Sequence, residues 1–249
     1  MNNMKKYILF VFVASFVLFA CKKEKATVNN GLPANILPDI ISPALQLFMD
    51  TLLPEKHSLI LTHPEYLSTT TIADLPIKQH SDVYITFVSQ SSKYNNTLAF
   101  YTYPTNHPPL NISAVIDTNY IFPNCGATTS LQHGNKVKIG TFEAGTSIGF
   151  VLLVNGWNSD THSVYDKGIN FYSNDAFNPE ADPNLKKHAV LISYKQENKV
   201  LIGFEDLNRT DPNCDGDFND LLVYCTLIQE INYSFVIVEL DTIKFYTNS

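Results

Sequence analysis

The feature that most constrains the fold is a long succession of short strand-like runs that begins near residue 80. These runs are rich in β-branched and aromatic residues, and turn-forming residues separate them. The predicted strands cover residues 83–89, 97–103, 137–139, 147–154, 169–172, 188–195, 200–204, 221–228 and 235–245. Because no convincing helix interrupts them, the pattern predicts an all-β fold over residues 81–249, namely an antiparallel, jelly-roll-like β-sandwich.

A different spacing of apolar residues precedes the strands, within residues 36–80. It predicts one short N-terminal helix, with Pro54 as its stop, in an otherwise extended segment. The apolar residues at helical spacing are Ile41, Leu45, Phe48, Met49 and Leu52.

The first 20 residues have the features of a removable export signal. Two lysines precede an apolar or small run over residues 7–20, which is shorter than the roughly 20 residues that a helix needs to cross about 30 Å of hydrocarbon. Leu18 and Ala20 stand at positions before Cys21 that are typical of a bacterial lipoprotein signal. We therefore predict cleavage after Ala20 and attachment of lipid, such as palmitate, to Cys21.

Two other interpretations of this segment are open. It is either an ordinary signal peptide whose mature chain happens to begin with cysteine, or an uncleaved N-terminal anchor. Lipidation by more than one acyl chain predicts stable attachment to the bacterial cell envelope, at the outer membrane on its periplasmic or its surface face. The polar residues 21–35 are then a lipidated tether that holds the domain off the membrane.

The composition excludes several classes of protein. Hydrophobic residues make up 45% of the chain, aromatic residues 12% and charged residues only 16%, which is typical of a β-rich exported protein and not of a disordered chain or a coiled coil. The net charge is −7, so the surface lacks the excess of positive charge that nonspecific nucleic-acid binding requires. We expect no nucleic-acid partner.

The cysteines leave one question open. If Cys21 is acylated, Cys125, Cys214 and Cys225 remain, and they permit at most one intramolecular disulfide. The sequence does not choose among the three pairings, and free cysteine is the alternative for each. No Cys/His spacing indicates zinc.

The densest charge in the chain lies between the predicted strands 200–204 and 221–228. Six of the chain's 24 acidic residues fall within residues 205–220, together with one arginine. Carboxylates this dense repel one another unless water or a cation screens them, and hard oxygen ligands are those that Ca²⁺ prefers. We therefore predict a calcium site. The candidate ligands are Glu205, Asp206, Asp211, Asn213, Asp215, Asp217, Asn219 and Asp220.

Part of this loop follows a known calcium-loop pattern. Asp211, Asn213, Asp215 and Gly216 fit the first half of the pattern D-x-[DN]-x-[DN]-G. The match ends there, because the position of the closing glutamate is Leu222 and the flanking elements are strands, so the loop is not an EF-hand. The alternative is a solvated acidic turn in which Asp and Asn serve turn geometry.

The same loop carries a family resemblance. The runs LIGFEDLNR (201–209) and DGDFNDL (215–221) are similar to the LruC-type domain, which overlaps the bacterial domain-of-unknown-function family 4114. Further runs agree in order, and the resemblance spans about residues 82–228. These runs are ITFVS (85–89), YNNTLAFYTY (94–103), IFPN (121–124), GFVLLVNGW (149–157), YS (172–173) and FNPE (177–180).

The resemblance implies a secreted or surface β-sandwich similar to envelope lipoproteins of Bacteroidota. It also implies that the acidic positions of the motif bind metal or act in catalysis. Those positions are Glu205, Asp206, Asp215, Asp217, Asn219 and Asp220. The chain departs from the family pattern at Cys214, where a small hydroxyl residue or glycine is more usual, and at 211–213, which has no clear counterpart.

Four further residues are candidates for contact with a ligand. Trp157, next to Asn155 at a strand end, either stacks on a sugar or packs over the edge of the core. Asn178 and Glu180 either add oxygen ligands to the acidic site or cap a turn.

The leading functional hypothesis is an envelope lipoprotein with a calcium-binding β-sandwich that acts as a binding or adhesion module for a glycan or a protein. A carboxylate-based, glycan-active hydrolase is one alternative, and a structural accessory lipoprotein is another. The sequence lacks a G-x-S-x-G elbow, a phosphate-binding glycine loop and a Cys/His nucleophile pattern, which favours a protein that is not an enzyme.

Overall fold

A computed structural model describes residues 30–68, 73–115 and 117–229, which form a sandwich of two antiparallel β-sheets with helices on one outer face. The helices are α1 (Pro43–Leu52) and α2 (Leu59–Thr62). The strands are β1 (Leu37–Pro38), β2 (Leu75–Pro76), β3 (Ser81–Gln90), β4 (Thr97–Pro104), β5 (Asn119–Phe122), β6 (Asn135–Phe142), β7 (Thr146–Leu153), β8 (Trp157–Asn158), β9 (Ser163–Val164), β10 (Asn170–Tyr172), β11 (Ala189–Tyr194), β12 (Lys199–Phe204) and β13 (Leu221–Gln229).

Each sheet is antiparallel along its length. The larger sheet has the order β1-β6-β3-β13-β12-β11, and the smaller has the order β10-β7-β4-β5, with β2 also paired to β7. β8 and β9 form a separate two-stranded ribbon. The residues before β3 therefore contribute a short strand to each sheet, β1 to the larger and β2 to the smaller.

The side chains of β13 show that the larger sheet is buried on both faces. Leu221, Val223 and Cys225 belong to the core between the two sheets, whereas Leu222 and Tyr224 belong to a second core beneath the helices. Successive side chains of a strand point to opposite faces, so a strand covered on both sides is apolar at nearly every position. The sequence LLVYC is such a run.

Helix α1 covers the outer face of the larger sheet. Ser42 caps its first turn, because the Ser42 Oγ accepts a hydrogen bond from the Leu45 amide at 3.0 Å, and Pro43 occupies the first turn, where its missing N–H is tolerated. Leu45, Met49 and Leu52 are buried against the sheet. The predicted helix is confirmed, and it ends two residues before Pro54.

The predicted all-β antiparallel sandwich is also confirmed. Eight of the predicted strands correspond to β3, β4, β6, β7, β10, β11, β12 and β13, whereas the run 235–245 lies outside the described residues. The strands that were not predicted are only two to four residues long: β1, β2, β5, β8 and β9. The predicted signal peptide, Cys21 and the first part of the tether also lie outside the described residues. Among those that are described, no helix has the length and apolar character needed to cross a membrane.

The three described cysteines are free thiols. Cys125 and Cys225 are buried, and Cys214 is partly buried. Burial raises the pKa of Cys225 to about 12, so its thiol stays protonated and packs as a small apolar side chain.

The two leucines of α1 that differ most in exposure give a test of this packing. Leu45 is fully buried and Leu47 is 67% exposed on the same helix. We expect Leu45→Ala to lower the free energy of unfolding by about 2–5 kcal/mol, because the surrounding core cannot collapse fully onto the cavity. Leu47→Ala, the matched control, changes it by less than about 0.5 kcal/mol. Urea denaturation followed by circular dichroism measures both, and equal losses would contradict the assignment of the buried face.

Candidate metal centre

The acidic loop, residues 205–220, joins two neighbouring antiparallel strands at one end of the larger sheet. β12 leads into it at Phe204 and β13 begins at Leu221, and these two residues pair directly. Adjacent strands hold both ends of the loop: the Glu205 amide donates to the His188 carbonyl at 3.0 Å, and the Ser91 amide donates to the Asp220 carbonyl at 3.3 Å. The pairing therefore fixes where the carboxylates of the loop meet.

Three carboxylates lie together at the base of the loop. Glu205 is 1% exposed and Asp206 is 4% exposed, and the Asp206 amide donates to the Asp220 Oδ2 at 2.8 Å. Burial raises the pKa of the Asp220 carboxyl, and the charges of Asp206 and Glu205 raise it further. Burial likewise raises the pKa of Glu205. Within the described part of the chain, the Glu205 Oε2 atom is buried without a hydrogen-bond partner.

Asp206 connects the acidic loop to the turn between β3 and β4. Its Oδ2 atom accepts hydrogen bonds from Ser92 Oγ and from Asn96 Nδ2, the latter at 2.6 Å. Asn96 is fully buried, and its Oδ1 atom accepts from the Asn155 amide at 3.0 Å. Asn96 therefore links the acidic loop on one side to the turn after β7 on the other.

A second group of carboxylates lies further along the loop. Asp215, Asp217 and Glu55 each place a carboxylate oxygen within 4.8 Å of the other two. Asp217 is 2% exposed, whereas Asp215 and Glu55 are exposed. Burial raises the pKa of Asp217, and the charges of Asp215 and Glu55 add to that shift. These three residues form the outer triad.

Glu55 is the member of the outer triad that sequence reasoning missed. It follows Pro54 in the turn between α1 and α2, far from the acidic loop in the sequence. The turn is fastened to the loop by backbone bonds: the Lys56 amide donates to Asp217 Oδ2 at 2.7 Å, and the Leu59 amide donates to the Gly216 carbonyl at 2.9 Å. A single glutamate after a helix gives no local pattern from which this contact could be predicted.

The bend of the loop depends on two residues with positive φ. Gly216 has φ of +67°, a conformation that glycine adopts at little cost. Phe218 has φ of +60° and is fully buried, with the Arg209 guanidinium 5.3 Å from its ring centroid. A buried aromatic side chain in this backbone conformation anchors the loop to the core beneath the helices.

Two predicted ligands are engaged in a local turn. The Asp211 Oδ1 atom accepts from the amide and from Nδ2 of Asn213, at 2.8 and 2.9 Å. This is the pattern of an aspartate turn, in which the side chain bonds the backbone two residues ahead. A third predicted ligand, Asn219, accepts from Ser91 Oγ at 2.7 Å and donates to the Leu53 carbonyl at 3.4 Å. The structure thus brings Glu205, Asp206 and Asp220 together at the base of the loop, and Asp215 and Asp217 together further along it. It gives Asp211, Asn213 and Asn219 hydrogen bonds with other groups.

Glu180 lies behind the acidic loop in a buried pair with His188. The Glu180 Oε1 atom lies 2.7 Å from His188 Nε2 and accepts from the Arg209 amide at 3.2 Å, and both side chains of the pair are fully buried. Burial lowers the pKa of His188, and the charge of Glu180 opposes that shift. Through Arg209, Glu180 supports the backbone of the loop.

Asn178 braces the chain with both ends of its amide. Its Oδ1 atom accepts from the Tyr172 amide at 2.8 Å, and its Nδ2 atom donates to the carbonyls of Tyr172 and Lys186. The side-chain amide of this buried residue is thus engaged in three hydrogen bonds within the fold.

Asn155 and Trp157 line a polar pocket of about 420 Å³ beside the turn after β7. Trp157 is 4% exposed, so its ring packs at the base of the pocket and offers little surface for stacking. Tyr165 and Asp160 also line the pocket and are exposed. Since Asn96 bonds both Asp206 and the Asn155 backbone, the pocket and the acidic loop share one buried support.

Comparison with known proteins identifies one family. Residues 142–227 match the family model described as Domain of unknown function (DUF4114), and this segment, from the end of β6 to β13, contains the whole acidic loop. The resemblance to family 4114 is thereby confirmed over residues 142–227, whereas the resemblance to the LruC-type domain and to envelope lipoproteins of Bacteroidota stays a prediction. Neither the comparison with curated proteins nor the comparison with solved structures gives a significant match.

The bridging role of Asn96 generates a prediction. Asn96→Ala removes the donor to Asp206 and the acceptor for the Asn155 amide, so we expect the free energy of unfolding to fall by about 2–4 kcal/mol. Asn106→Ala is the matched control, because Asn106 is exposed and bonds only its neighbour His107 among the described residues. Chemical denaturation measures both variants. A loss for Asn96→Ala no larger than that for Asn106→Ala would contradict the assigned role.

Proposed function

We propose that this chain, with its DUF4114 domain, is an envelope lipoprotein whose β-sandwich binds Ca²⁺ through the acidic loop and acts as a binding or adhesion module. The observation that carries the proposal is the group of buried carboxylates between the last residue of β12 and the first residue of β13. Ionised carboxylates are buried only where a counter-charge or a set of hydrogen bonds compensates them.

The charge balance of the loop supports a bound cation. In the described residues, no Lys, Arg or His forms an ion pair with Glu205, Asp206, Asp215, Asp217 or Asp220. Arg209 lies nearby, but its guanidinium packs over Phe218 and donates to the carbonyls of Asn184 and Lys187. A divalent cation would supply the charge that the side chains do not.

The donor atoms favour calcium over zinc. The available ligands are carboxylate oxygens, and Ca²⁺ takes 6–8 oxygen ligands in flexible geometry. Zinc prefers sulfur and imidazole nitrogen. The group of metal-ligating side chains that lies together among the described residues, Glu55, Asp215 and Asp217, holds neither sulfur nor imidazole.

A structural role for the cation fits the burial of its ligands better than a hydrolytic one. Glu205 and Asp206 are 1% and 4% exposed, which leaves almost none of either side chain open to a glycan. They are well placed to hold the loop, and through Asn96 the neighbouring polar pocket, in one conformation. We therefore assign ligand contact to the exposed rim of that pocket, with a glycan or a protein as ligand.

Calcium dependence of stability is the first test of this proposal. We expect millimolar CaCl₂ to raise the thermal unfolding midpoint of the purified protein by several degrees relative to EDTA, because an ion bound only to the folded state stabilises it by mass action. Differential scanning calorimetry measures the shift, and an equal midpoint in CaCl₂ and EDTA would sink the proposal.

Two variants locate the effect. Asp217→Asn removes a buried carboxylate of the loop and should abolish most of the calcium-induced shift. Asp211→Asn, the matched control, keeps an oxygen that can accept the turn hydrogen bonds from Asn213 and should retain the shift. If both variants respond to calcium like the original protein, the ion binds elsewhere.

Lipid attachment is tested separately in bacterial cells that process lipoproteins. We expect an alkyne analogue of palmitate to label the protein, and Cys21→Ser to abolish the label, because acylation requires the Cys21 thiol. Cys214→Ser is the control, since Cys214 lies in the fold and should not affect labelling. Label that persists in Cys21→Ser would show that the lipid is not on this residue.

A further inference from the structure

The outer triad joins two parts of the molecule that the sequence keeps far apart. Glu55 belongs to the turn between α1 and α2, whereas Asp215 and Asp217 belong to the acidic loop. All three carboxylates place an oxygen within 4.8 Å of the other two. Such a spacing suits simultaneous coordination of one Ca²⁺, whose oxygen ligands lie about 2.3–2.6 Å from the ion.

The backbone holds the triad in this arrangement. Asp217 accepts from the amides of Lys56 and Asn219, at 2.7 and 3.1 Å, which fixes its carboxylate beside the turn. The Leu59 amide donates to the Gly216 carbonyl, so the turn and the loop approach each other on both sides of Asp217. Hydrogen bonds from backbone amides thus hold the turn that carries Glu55 against the loop that carries Asp215 and Asp217. Among the described residues, none of the three has an ion-pair partner.

A second observation at the same loop also indicates a cation. The Glu205 Oε2 atom is buried without a partner in the described chain, on a side chain only 1% exposed. Glu205 lies near enough to Asp215 and Asp217 to be affected by both of their charges. The Glu205 carboxyl also contacts the side chains of Cys214 and Asp220, so the position without a partner is this one oxygen. A buried carboxylate oxygen without a partner, close to further carboxylates, is a position that a metal ion can fill.

We propose that Glu55 is a ligand of the calcium ion of the acidic loop, together with Asp215 and Asp217, so that the ion fastens the helical N-terminal segment to the sandwich. This inference rests on the proposed function, because it assigns a further ligand to the same ion. Asp215 and Glu55 are exposed, which leaves room for water to complete the coordination shell. Calcium then controls how firmly the turn at 53–59 is held.

The experiment combines calcium affinity with proteolysis of the purified full chain. Isothermal titration with CaCl₂ should give Glu55→Gln a Kd about tenfold higher than that of the original protein, because one charged ligand is lost. Glu65→Gln is the matched control, since Glu65 is an exposed glutamate of the same N-terminal segment that bonds His63. It should leave the Kd unchanged.

Proteolysis reports on the turn directly. Lysyl endopeptidase cuts after lysine, and Lys56 is the exposed lysine next to Glu55. We expect calcium to slow cleavage after Lys56 about tenfold in the original protein and in Glu65→Gln, but little in Glu55→Gln at the same calcium concentration. Cleavage after Lys167, an exposed lysine in the loop before β10, serves as the internal control and should not respond to calcium.

The outcomes separate this inference from the proposed function. If the original protein binds calcium and Glu55→Gln binds it equally tightly with the same protection at Lys56, Glu55 is not a ligand and the inference fails, whereas the calcium site of the loop stands. If the original protein does not bind calcium, both fail. If Glu55→Gln has a higher Kd and loses the protection at Lys56, while Glu65→Gln does neither, the result supports the inference and the proposed function.

Discussion

The mutual repulsion of carboxylates in the loop between β12 and β13 is the constraint on which the rest of this region depends. Pairing of Phe204 with Leu221 brings the two ends of the acidic loop together. The carboxylates of Glu205, Asp206 and Asp220, next to these residues in the sequence, are therefore brought close to one another. Three sets of contacts hold these groups in place: the backbone amides on Asp217, the buried Asn96 on Asp206, and the Glu180–His188 pair behind Arg209. A cation at this point would turn repulsion into attraction.

Much of the fold could be predicted from the sequence, because its strongest signals are local. Runs of β-branched and aromatic residues, separated by turn-forming residues, identified the long strands. β13 is apolar at nearly every position because both of its faces are covered. Helical spacing of apolar residues predicted α1, and Pro54 predicted its end, since both signals lie within the segment itself. Strands such as β1 and β2 span two residues each, and they exist because longer partners, β6 and β7, offer open edges.

The candidate site was predictable in position and only partly in composition. Charge density located the acidic loop, but spacing alone made Asp211 and Asn213 candidate calcium ligands as much as Asp217. In the structure, Asp211 and Asn213 bond each other, whereas Asp217 is buried beside a distant turn. Glu55 was missed because its place in the outer triad depends on how α1 packs, and no pattern within its own segment indicates it.

The position of β13 has a consequence for how the chain reaches this state. It is the last described strand, yet it lies between β3 and β12 in the middle of the larger sheet. Before it docks, β1-β6-β3 and β12-β11 are two separate fragments with open edges. Contacts between strands so distant in sequence form slowly, because a large loop must close first. The sheet is therefore completed only after residues 221–229 have left the ribosome, and until then its two halves expose unpaired edges to other chains.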